Sequence, residues 1–278
     1  MDNIIDNYQR ILFPYAYNII GIVEDAEDVI QDVIIRFSKL QGDKISNLKN
    51  YLIKSVINQA IQLKREKIKS ISVEVWLPEP IVTHDAEEYD EIANYSLLSR
   101  MEYLNPRERA VFVLKEGFDY SHEEIGEMVS CTPENSRKIL SRAKKKLKQL
   151  GYTIDMPQNG SSDKAIAKLI TAIQLSDTEG VKKLLADDIH FYADGGNTIN
   201  VVAKECFGND LVGQLLIYIH QTYNNGFDFI ITQLNHQPAI LYLENGRVKS
   251  CQIFDAIENK IHRIESIIDF KKLEKLNL

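Results

Sequence analysis

The chain has 278 residues, a formal net charge of −7 and an apolar fraction of 44 %, a composition typical of a folded protein with two or three domains. No apolar run approaches the ~20 residues of a transmembrane helix, and the polar start is not a secretory signal. The three cysteines are isolated, which excludes a disulfide framework or a cysteine metal site. These properties predict a cytoplasmic protein that needs no metal and no cofactor.

The N-terminal part contains three stretches with helical periodicity. Apolar side chains recur at helical spacing over residues 4–20, 24–40 and 46–69, and Gly21 separates the first two. In the second stretch a polar face lies opposite the apolar arc, and it contains Asp25, Asp28, Asp32 and Arg36. The helix dipole explains the first two carboxylates but not Asp32. The face predicts either a docking surface or a solvated acidic helix.

The third stretch becomes rich in polar and basic side chains towards its C-terminal end. Its members include Asn58, Gln62, Lys64 and Arg65. Amide and cationic side chains of this kind hydrogen-bond bases and phosphates. Cations at a helix C-terminus are also stabilising by themselves. The stretch therefore predicts either a nucleic-acid contact or a helix with a favourable charge distribution.

Residues 71–91 are predicted to form a linker. They lack helical periodicity, and Pro78 and Pro80 at alternate positions enforce an extended backbone. Trp76 is the only tryptophan of the chain. Because an exposed tryptophan in a free linker lowers solubility, part of the linker is predicted to dock on a folded domain.

Residues 92–150 are predicted to form a helical domain, with its first helix running from Tyr89 to Tyr103 and a second starting at Asn105. A third helix starts at the capping-box sequence from Ser121 to Glu124. The fourth starts at Thr132, where the following proline suits the first helical position. The last two helices have the spacing of a helix-turn-helix.

The fourth helix has one apolar face and one cationic face. Its apolar side comprises Ser136, Ile139, Leu140, Ala143 and Leu147. The opposite side comprises Glu134, Arg137, Lys138, Ser141, Arg142, Lys145 and Lys148. Two short helices, a tight turn and a basic outer face are typical of a DNA-binding helix-turn-helix. The alternative is a solvated basic helix that binds nothing.

The order of these parts resembles a bacterial sigma-70-family sigma factor of the extracytoplasmic-function (ECF) group. The resemblance covers roughly residues 1–150. It rests on the acidic stretch 25–33, on the segment 105–109, and on the segment 120–127 followed by Ser-Arg-Ala-Lys at 141–144. It implies a transcription initiation factor rather than an enzyme.

The resemblance also assigns a partner to the first two surfaces. Core RNA polymerase would bind the acidic helix through Asp25, Asp28, Gln31, Asp32 and Arg36. Exposed bases of single strands are bound by polar pockets and stacking. The single-stranded −10 promoter element would accordingly be bound by Asn58, Gln62, Lys64 and Arg65.

In the helix-turn-helix, the second helix would enter the major groove of the −35 duplex. The side chains facing the bases would be Glu134, Asn135, Arg137 and Lys138. Phosphates would be held by Arg142 and Lys145.

The sequence departs from the family pattern at three positions. Tyr51 stands where a tryptophan is usual, Gln62 where an aspartate is common, and Ser130 where the turn usually has glycine. The base preferences of the family are therefore not carried over to this chain.

The C-terminal third predicts an α+β domain over residues 151–278. After a polar hinge at 159–162, helices are expected at 162–175, 178–185 and 211–223. Alternating residues predict strands at 227–234, 239–243, 248–257 and 260–269, with Asn-Gly at 245–246 as a hairpin turn. Helices followed by antiparallel strands indicate the α+β class.

The segments Trp-Leu-Pro-Glu-Pro at 76–80, Tyr-Ala-Asp-Gly-Gly at 192–196 and Asn-His-Gln-Pro-Ala at 235–239 carry a second resemblance. Through them this third resembles the SnoaL-like cones that are fused to one ECF subgroup, where the extra domain takes the place of a separate anti-sigma protein. The expected fold is therefore multidomain: two all-α sigma domains at 1–70 and 92–150, the second with the helix-turn-helix, and then an α+β cone with a curved antiparallel sheet. The residues expected to hold linker and cone together are Trp76, Pro78, Pro80, Asp194, Gly195, Gly196, Asn235, Gln237 and Pro238.

Two functions are consistent with these features. The first is a sigma factor that binds core RNA polymerase and promoter DNA, without a membrane, and whose activity the C-terminal domain modulates in cis. The second is a SnoaL-like enzyme or ligand sensor fused to a helix-turn-helix regulator. Asp194, His190 and His236 are candidates for a pocket in the cone, but Asp194 equally suits a cap on a glycine turn. No catalytic residue is assigned, and a small ligand in the cone stays open.

Overall fold

The structure is a computed structural model, and it describes residues 2–39, 47–70, 75–83, 90–152, 162–197, 199–257 and 259–276. The chain divides into two compact units. The helical unit consists of Met1–Ser72, Ala86–Ala93 and Arg100–Thr153. The sheet unit consists of Val73–Asp85, Asn94–Ser99 and Ile154–Leu278. The polar hinge expected at 159–162 lies outside the described residues except for its last position.

Three long helices open the helical unit: α1 (Asp2–Ile20), α2 (Val23–Ser38) and α3 (Leu48–Ser70). Each packs against the other two. Their shared core is apolar and fully buried, since the stripes predicted from periodicity face inward. Its members include Leu12, Ala16, Ile30, Leu52 and Ile57. The expected helices of this part are therefore present.

The helix predicted from Tyr89 to Tyr103 is shorter than expected. Its regular part is α4 (Tyr95–Arg100), followed by a 3₁₀ turn at Met101–Tyr103. The helix starts late because the side chain of Asn94 accepts the backbone N–H of Leu97 at 2.9 Å and so caps it there. Residues 84–89 lie outside the described part. α5 (Pro106–Phe112) starts at the predicted capping box of Asn105.

The helix-turn-helix consists of α6 (His122–Val129) and α7 (Pro133–Gln149). Ser121 caps α6 and Thr132 caps α7, as predicted. The turn between them places Ser130 in the left-handed region at a φ of 54°, which explains why glycine is common there. The buried residues of α7 are the five predicted ones, so the cationic side faces outward.

The sheet unit contains a six-stranded sheet in the order β2-β1-β6-β5-β4-β3. The strands are β1 (Leu185–Asp194), β2 (Glu205–Phe207), β3 (Asp228–Leu234), β4 (Gln237–Glu244), β5 (Arg247–Ile257) and β6 (Lys260–Ile267). All neighbouring pairs are antiparallel except β1 and β6, which are parallel, whereas an antiparallel sheet was expected. The short β2 was not predicted. The Asn-Gly hairpin joins β4 to β5, with positive φ at both residues.

The two faces of the sheet carry separate apolar clusters. On one face pack α8 (Ser162–Gln174), α9 (Thr178–Leu184) and α10 (Asn209–Ile219). The buried residues between these helices and the sheet include Ile166, Leu169, Val181, Phe191, Leu216 and Phe254. On the other face, Leu77 and Tyr95 pack with α11 (Phe270–Leu273) against Tyr192, Leu241, Cys251 and Ile267. This second face holds the linker.

The turn of the helix-turn-helix yields a stability prediction. A Cβ atom on Gly126 would lie 2.6 Å from the carbonyl oxygen of Cys131, closer than a real contact allows. We therefore expect Gly126→Ala to lower the free energy of unfolding by at least ~1 kcal/mol, although alanine normally favours a helix. Urea unfolding of the full chain measures the change.

Gly117→Ala is the matched control, because a Cβ atom there has no neighbour within 4 Å. It should leave the free energy of unfolding unchanged or raise it by up to ~1 kcal/mol. Equal effects of the two substitutions would show that the turn does not require the close approach at Gly126.

Candidate functional site

The predicted polymerase-binding face and the predicted −10 helix line one groove. This groove, of about 620 Å³, lies between α2 and α3. The side from α2 contributes Asp25, Asp28, Asp32 and Arg36, and the side from α3 contributes Tyr51, Ser55, Asn58, Gln59 and Gln62. Gln59 donates to the Asp32 carboxylate at 3.0 Å across the groove. The two surfaces, which the sequence suggested as separate, are therefore contiguous.

The acidic face is mostly open to solvent. Asp28, Gln31, Asp32 and Arg36 are exposed. Asp25 is half-buried and paired with Lys67 of α3 at 2.5 Å. Asp32 and Arg36 are 3.8 Å apart, a weak surface pair. Four of the five predicted polymerase contacts are thus accessible in the helical unit.

Lys64 does not face solvent, in contrast to the other predicted −10 contacts. Its side chain is 3 % exposed, and its ammonium lies 2.6 Å from the Glu102 carboxylate. It also donates to the carbonyl oxygen of Ile20 at 2.8 Å. Gln62 and Arg65 remain exposed, and Asn58 is exposed but bonded to a backbone oxygen. Lys64 is therefore an internal charge partner in this structure, in contrast to the exposed position expected for a DNA contact.

The predicted −35 face of α7 is exposed along its length. Glu134, Asn135, Arg137, Lys138, Arg142 and Lys145 are all solvent-exposed. Among the described residues, Lys138, Arg142 and Lys145 form no ion pair, whereas Arg137 lies 3.4 Å from Glu123. Such a row of accessible cations along one side of a helix fits a phosphate backbone.

Glu134 stands at the start of α7, where backbone N–H groups are unpaired. A hydrogen bond from this backbone, followed by one from the Thr132 hydroxyl, holds the pKa of the Glu134 carboxyl below its ordinary value. The carboxylate is therefore an anion at neutral pH. An anionic acceptor at this position suits a base with an amino donor, such as cytosine N4.

The linker is fixed to the sheet unit at the end of β1. The Asp194 carboxylate, 1 % exposed, accepts the Leu77 backbone N–H at 2.7 Å and the Gly196 N–H at 2.8 Å. Lys272 of α11 completes the site, with its ammonium 2.6 Å from Asp194 and 4.3 Å from the ring centre of Trp76. A buried carboxylate with three donors joins linker, strand and helix.

The glycines beside Asp194 are both required by the turn. A Cβ atom on Gly195 would lie 2.2 Å from the carbonyl oxygen of Ile199, and Gly196 has a positive φ of 62°. The pair lets the backbone fold back so that its own N–H reaches the carboxylate.

A second anchor lies in the turn between β3 and β4. The Asn235 side chain accepts the Ile81 backbone N–H at 2.8 Å, and the Asn235 N–H donates to the Ile81 carbonyl at 2.9 Å. Gln237 accepts the Ser96 N–H at 2.6 Å and so holds the start of α4. Val82 forms an isolated antiparallel bridge with Leu234. The linker thus extends the edge of the sheet.

The residues expected to join linker and cone lie mostly at these anchors. Pro78 and Pro80 are buried, and the Pro78 carbonyl accepts the Tyr95 hydroxyl at 2.6 Å. Pro238 pairs with Gln233 within the sheet. The sequence did not point to Lys272, nor to the buried pair of Arg263 and Glu265 beneath Ser99.

The pocket suggested for Asp194 and the histidines does not form as expected. Asp194 lies on the linker face of β1, with Tyr192, whereas Phe191 and Ala193 face the helices. His190 is four residues away along the strand, about 13 Å, which is too far for a hydrogen bond. His236 lies in the β3–β4 turn, where its N–H donates to Thr83. Asp194 therefore serves as a structural acceptor.

Within the described residues, no helix is both long and apolar enough to cross a membrane. Those residues also contain no group of three or more His, Cys, Asp or Glu side chains placed to hold a metal ion.

Comparison with known proteins agrees with this geometry. Residues 4–69 match the family described as Sigma-70 region 2, and residues 95–147 match Sigma-70, region 4. The ECF RNA polymerase sigma factor SigJ of Mycobacterium tuberculosis is 26 % identical over 228 residues, which cover 77 % of this chain and 72 % of SigJ.

The chain is also similar to two solved structures, and the first of them covers it almost completely. The crystal structure of Mycobacterium tuberculosis SigJ superposes with a TM-score of 0.78 at 20 % identity, covering 99 % of this chain and 98 % of that one. An NTF2-like protein from Burkholderia xenovorans LB400 has a TM-score of 0.30 at 17 % identity, covering 41 % of this chain and 94 % of its own.

Proposed function

Because the chain is an RNA polymerase sigma factor of the sigma-70 family and the ECF group, we propose that its fused sheet unit modulates promoter use by holding the linker between regions 2 and 4. The single observation that carries this proposal is the pair of buried anchors at Asp194 and Asn235. Sigma factors of this kind bind core RNA polymerase and promoter DNA. We therefore expect this chain to act in the cytoplasm, where the polymerase is.

The anchors limit how far the linker can extend. Between the two family matches lie residues 70–94, and a fully extended chain of this length spans roughly 85 Å. While Leu77 and Ile81 are bonded to the sheet unit, only the segments outside the anchors can lengthen. The docked linker therefore shortens the reach between the two DNA-binding regions and restrains activity.

The promoter contacts follow from the exposed side chains. In this proposal Asn58, Gln62 and Arg65 contact the −10 strand, whereas Lys64 pairs with Glu102 in the arrangement seen here. The N-terminal end of α7 contacts −35 bases, and Arg142 and Lys145 hold phosphates. The open side of the groove, formed by Asp28, Asp32 and Arg36, binds core polymerase.

Catalysis and ligand sensing are not part of the proposal. The Asp194 carboxylate is committed to Leu77, Gly196 and Lys272. Apolar side chains, among them Phe191 and Phe254, are buried between the sheet and its helices. Neither observation favours a reacting group or a ligand in this domain.

Base and phosphate contacts in α7 should respond differently to substitution. Arg137→Ala should relax discrimination at one −35 base pair by ~1–3 kcal/mol. Lys145→Ala should weaken binding of all sequences alike and reduce the slope of log K against log salt by about 0.9. Equilibrium binding of holoenzyme to −35 duplexes over a salt series measures both. Unchanged base preference in Arg137→Ala would remove that residue from the base contacts.

The acidic face should be required for polymerase binding. The double substitution Asp28→Lys and Asp32→Lys should weaken binding to core polymerase at least tenfold, because it reverses the charge of the exposed face of α2. A titration of labelled core polymerase measures the affinity. The double control Asp188→Lys and Asp228→Lys makes the same charge change at exposed positions of the sheet unit. Equal affinities of the two variants would place the polymerase contact elsewhere.

Loosening the linker should raise transcription. Asn235→Ala removes the acceptor of the Ile81 N–H, and we expect at least threefold more transcript from a promoter that the wild-type holoenzyme uses. In vitro transcription with purified core polymerase provides the measurement. Asn209→Ala is the control, since it removes a hydrogen bond to Asp187 within the sheet unit and spares the linker. Transcript levels that stay equal or fall would contradict restraint by the docked linker.

A further inference from the structure

Asn58, the central residue of the predicted −10 helix, is engaged by the helix-turn-helix. Its side-chain nitrogen donates to the carbonyl oxygen of Met128 in α6 at 2.8 Å, and to that of Lys54 at 2.8 Å. A primary amide has two donors, and here both are used. A promoter base that takes the donor now bonded to Met128 therefore has to displace region 4.

A buried charge network joins the same two regions. Glu102, next to α4, receives the Lys64 ammonium of α3 at 2.6 Å and is also bonded by the Arg109 guanidinium of α5. Lys64 is 3 % exposed and Arg109 is fully buried. The carboxylate is thus shared by one cation from region 2 and one from region 4.

Helix α1 provides the acceptors on the other side of this network. Arg109 donates through Nε to the Asn18 carbonyl at 2.7 Å, and Lys64 donates to the Ile20 carbonyl at 2.8 Å. Nearby, the Tyr15 ring stacks on Phe118 with the ring centres 3.9 Å apart. Region 4 is therefore held on region 2 by charged, hydrogen-bonded and aromatic contacts together.

In this arrangement Asn58 and the start of α7 lie too close together to contact the −10 and −35 elements at the same time. Five residue steps separate Met128 from Pro133, at the start of α7, and they span at most ~18 Å when extended. Elements centred about 25 base pairs apart lie roughly 85 Å apart along B-DNA. Asn58, bonded to Met128, cannot occupy the −10 element while the start of α7 occupies the −35 element.

We propose that Lys64, Glu102 and Arg109 form a latch that keeps the free sigma factor closed and Asn58 covered until polymerase binds. This proposal rests on the assignment of Asn58 to the −10 strand, but it concerns the helical unit alone. Breaking one partner of a buried charge network is strongly unfavourable, because the remaining charges stay buried without compensation. Removal of Glu102 therefore favours the open form, in which both cations reach water.

The distance between the two regions tests the latch in the full-length protein. Spin labels are attached to cysteines introduced at two exposed positions, Lys49→Cys in region 2 and Lys148→Cys in region 4. Cys131 and Cys206 are replaced by serine. Cys251 is retained, because it is fully buried and burial raises the pKa of its thiol to about 12, so it does not react.

Wild-type protein should give a single short distance, and core polymerase should convert it to a longer one. Glu102→Gln should increase the population with the longer distance at least tenfold in the absence of polymerase. Glu116→Gln, which makes the same change in a pair with Lys144 inside region 4, should leave the distance as in the wild type. Lys64→Met is a second latch variant and is decisive if Glu102→Gln does not fold by circular dichroism.

The proposal would be overturned if the folded latch variants kept the short distance between the spin labels. It would also be overturned if the wild-type protein gave the longer distance without polymerase. This readout does not involve transcription or the linker anchors. An unchanged transcript level in Asn235→Ala, with opening of Glu102→Gln, would therefore reject restraint by the sheet unit and leave the latch standing. The reverse pattern would reject the latch alone.

Discussion

The arrangement of the sheet unit depends on the contacts of one buried group, the carboxylate of Asp194. This carboxylate accepts hydrogen bonds from the Leu77 N–H, the Gly196 N–H and the Lys272 ammonium. A carboxylate in a buried site is stable only if its acceptor sites are filled, so each of these three elements needs the other two. The linker is therefore part of the fold of this unit rather than a free connection.

Charge burial of this kind favours one arrangement over others without adding much net stability. Apolar packing alone would allow Leu77 and Tyr95 to slide along the sheet, since it has no direction. The Asn235 and Gln237 side chains fix the position instead, because each is bonded to a backbone N–H of a particular residue. These directed hydrogen bonds therefore make the position of the linker on the sheet specific.

Local features of the sequence predicted most of the helical unit. The caps at Asn105, Ser121 and Thr132 and the buried side of α7 follow from spacing within a single helix. The burial of Lys64 was not predicted although a signal existed: Lys64 continues the apolar stripe of Ile57 and Ile61 at helical spacing. Its burial needs Glu102, a partner 38 positions away, and periodicity carries no information about such a partner.

The candidate site in the sheet unit was only partly predictable. Glycines after Asp194 indicated a turn. The face of β1 on which Asp194 lies could not be predicted, because alternate residues of a strand face opposite sides of the sheet. Tyr192 and Phe191 are equally apolar in the sequence, so they do not show which side faces the linker. Lys272 in its short C-terminal helix had no distinguishing pattern. The anchors arise from long-range packing.

Hydrogen exchange of the linker amides measures whether polymerase binding releases the linker from the sheet unit. We expect the N–H groups of Leu77 and Ile81 to be protected in the free protein, because Asp194 and Asn235 accept them. On binding core polymerase, their exchange should accelerate at least tenfold while the amides of β5 stay protected. Equal protection of Leu77 and Ile81 in the free protein and in the holoenzyme would contradict release of the linker as the step that frees this sigma factor for its promoter.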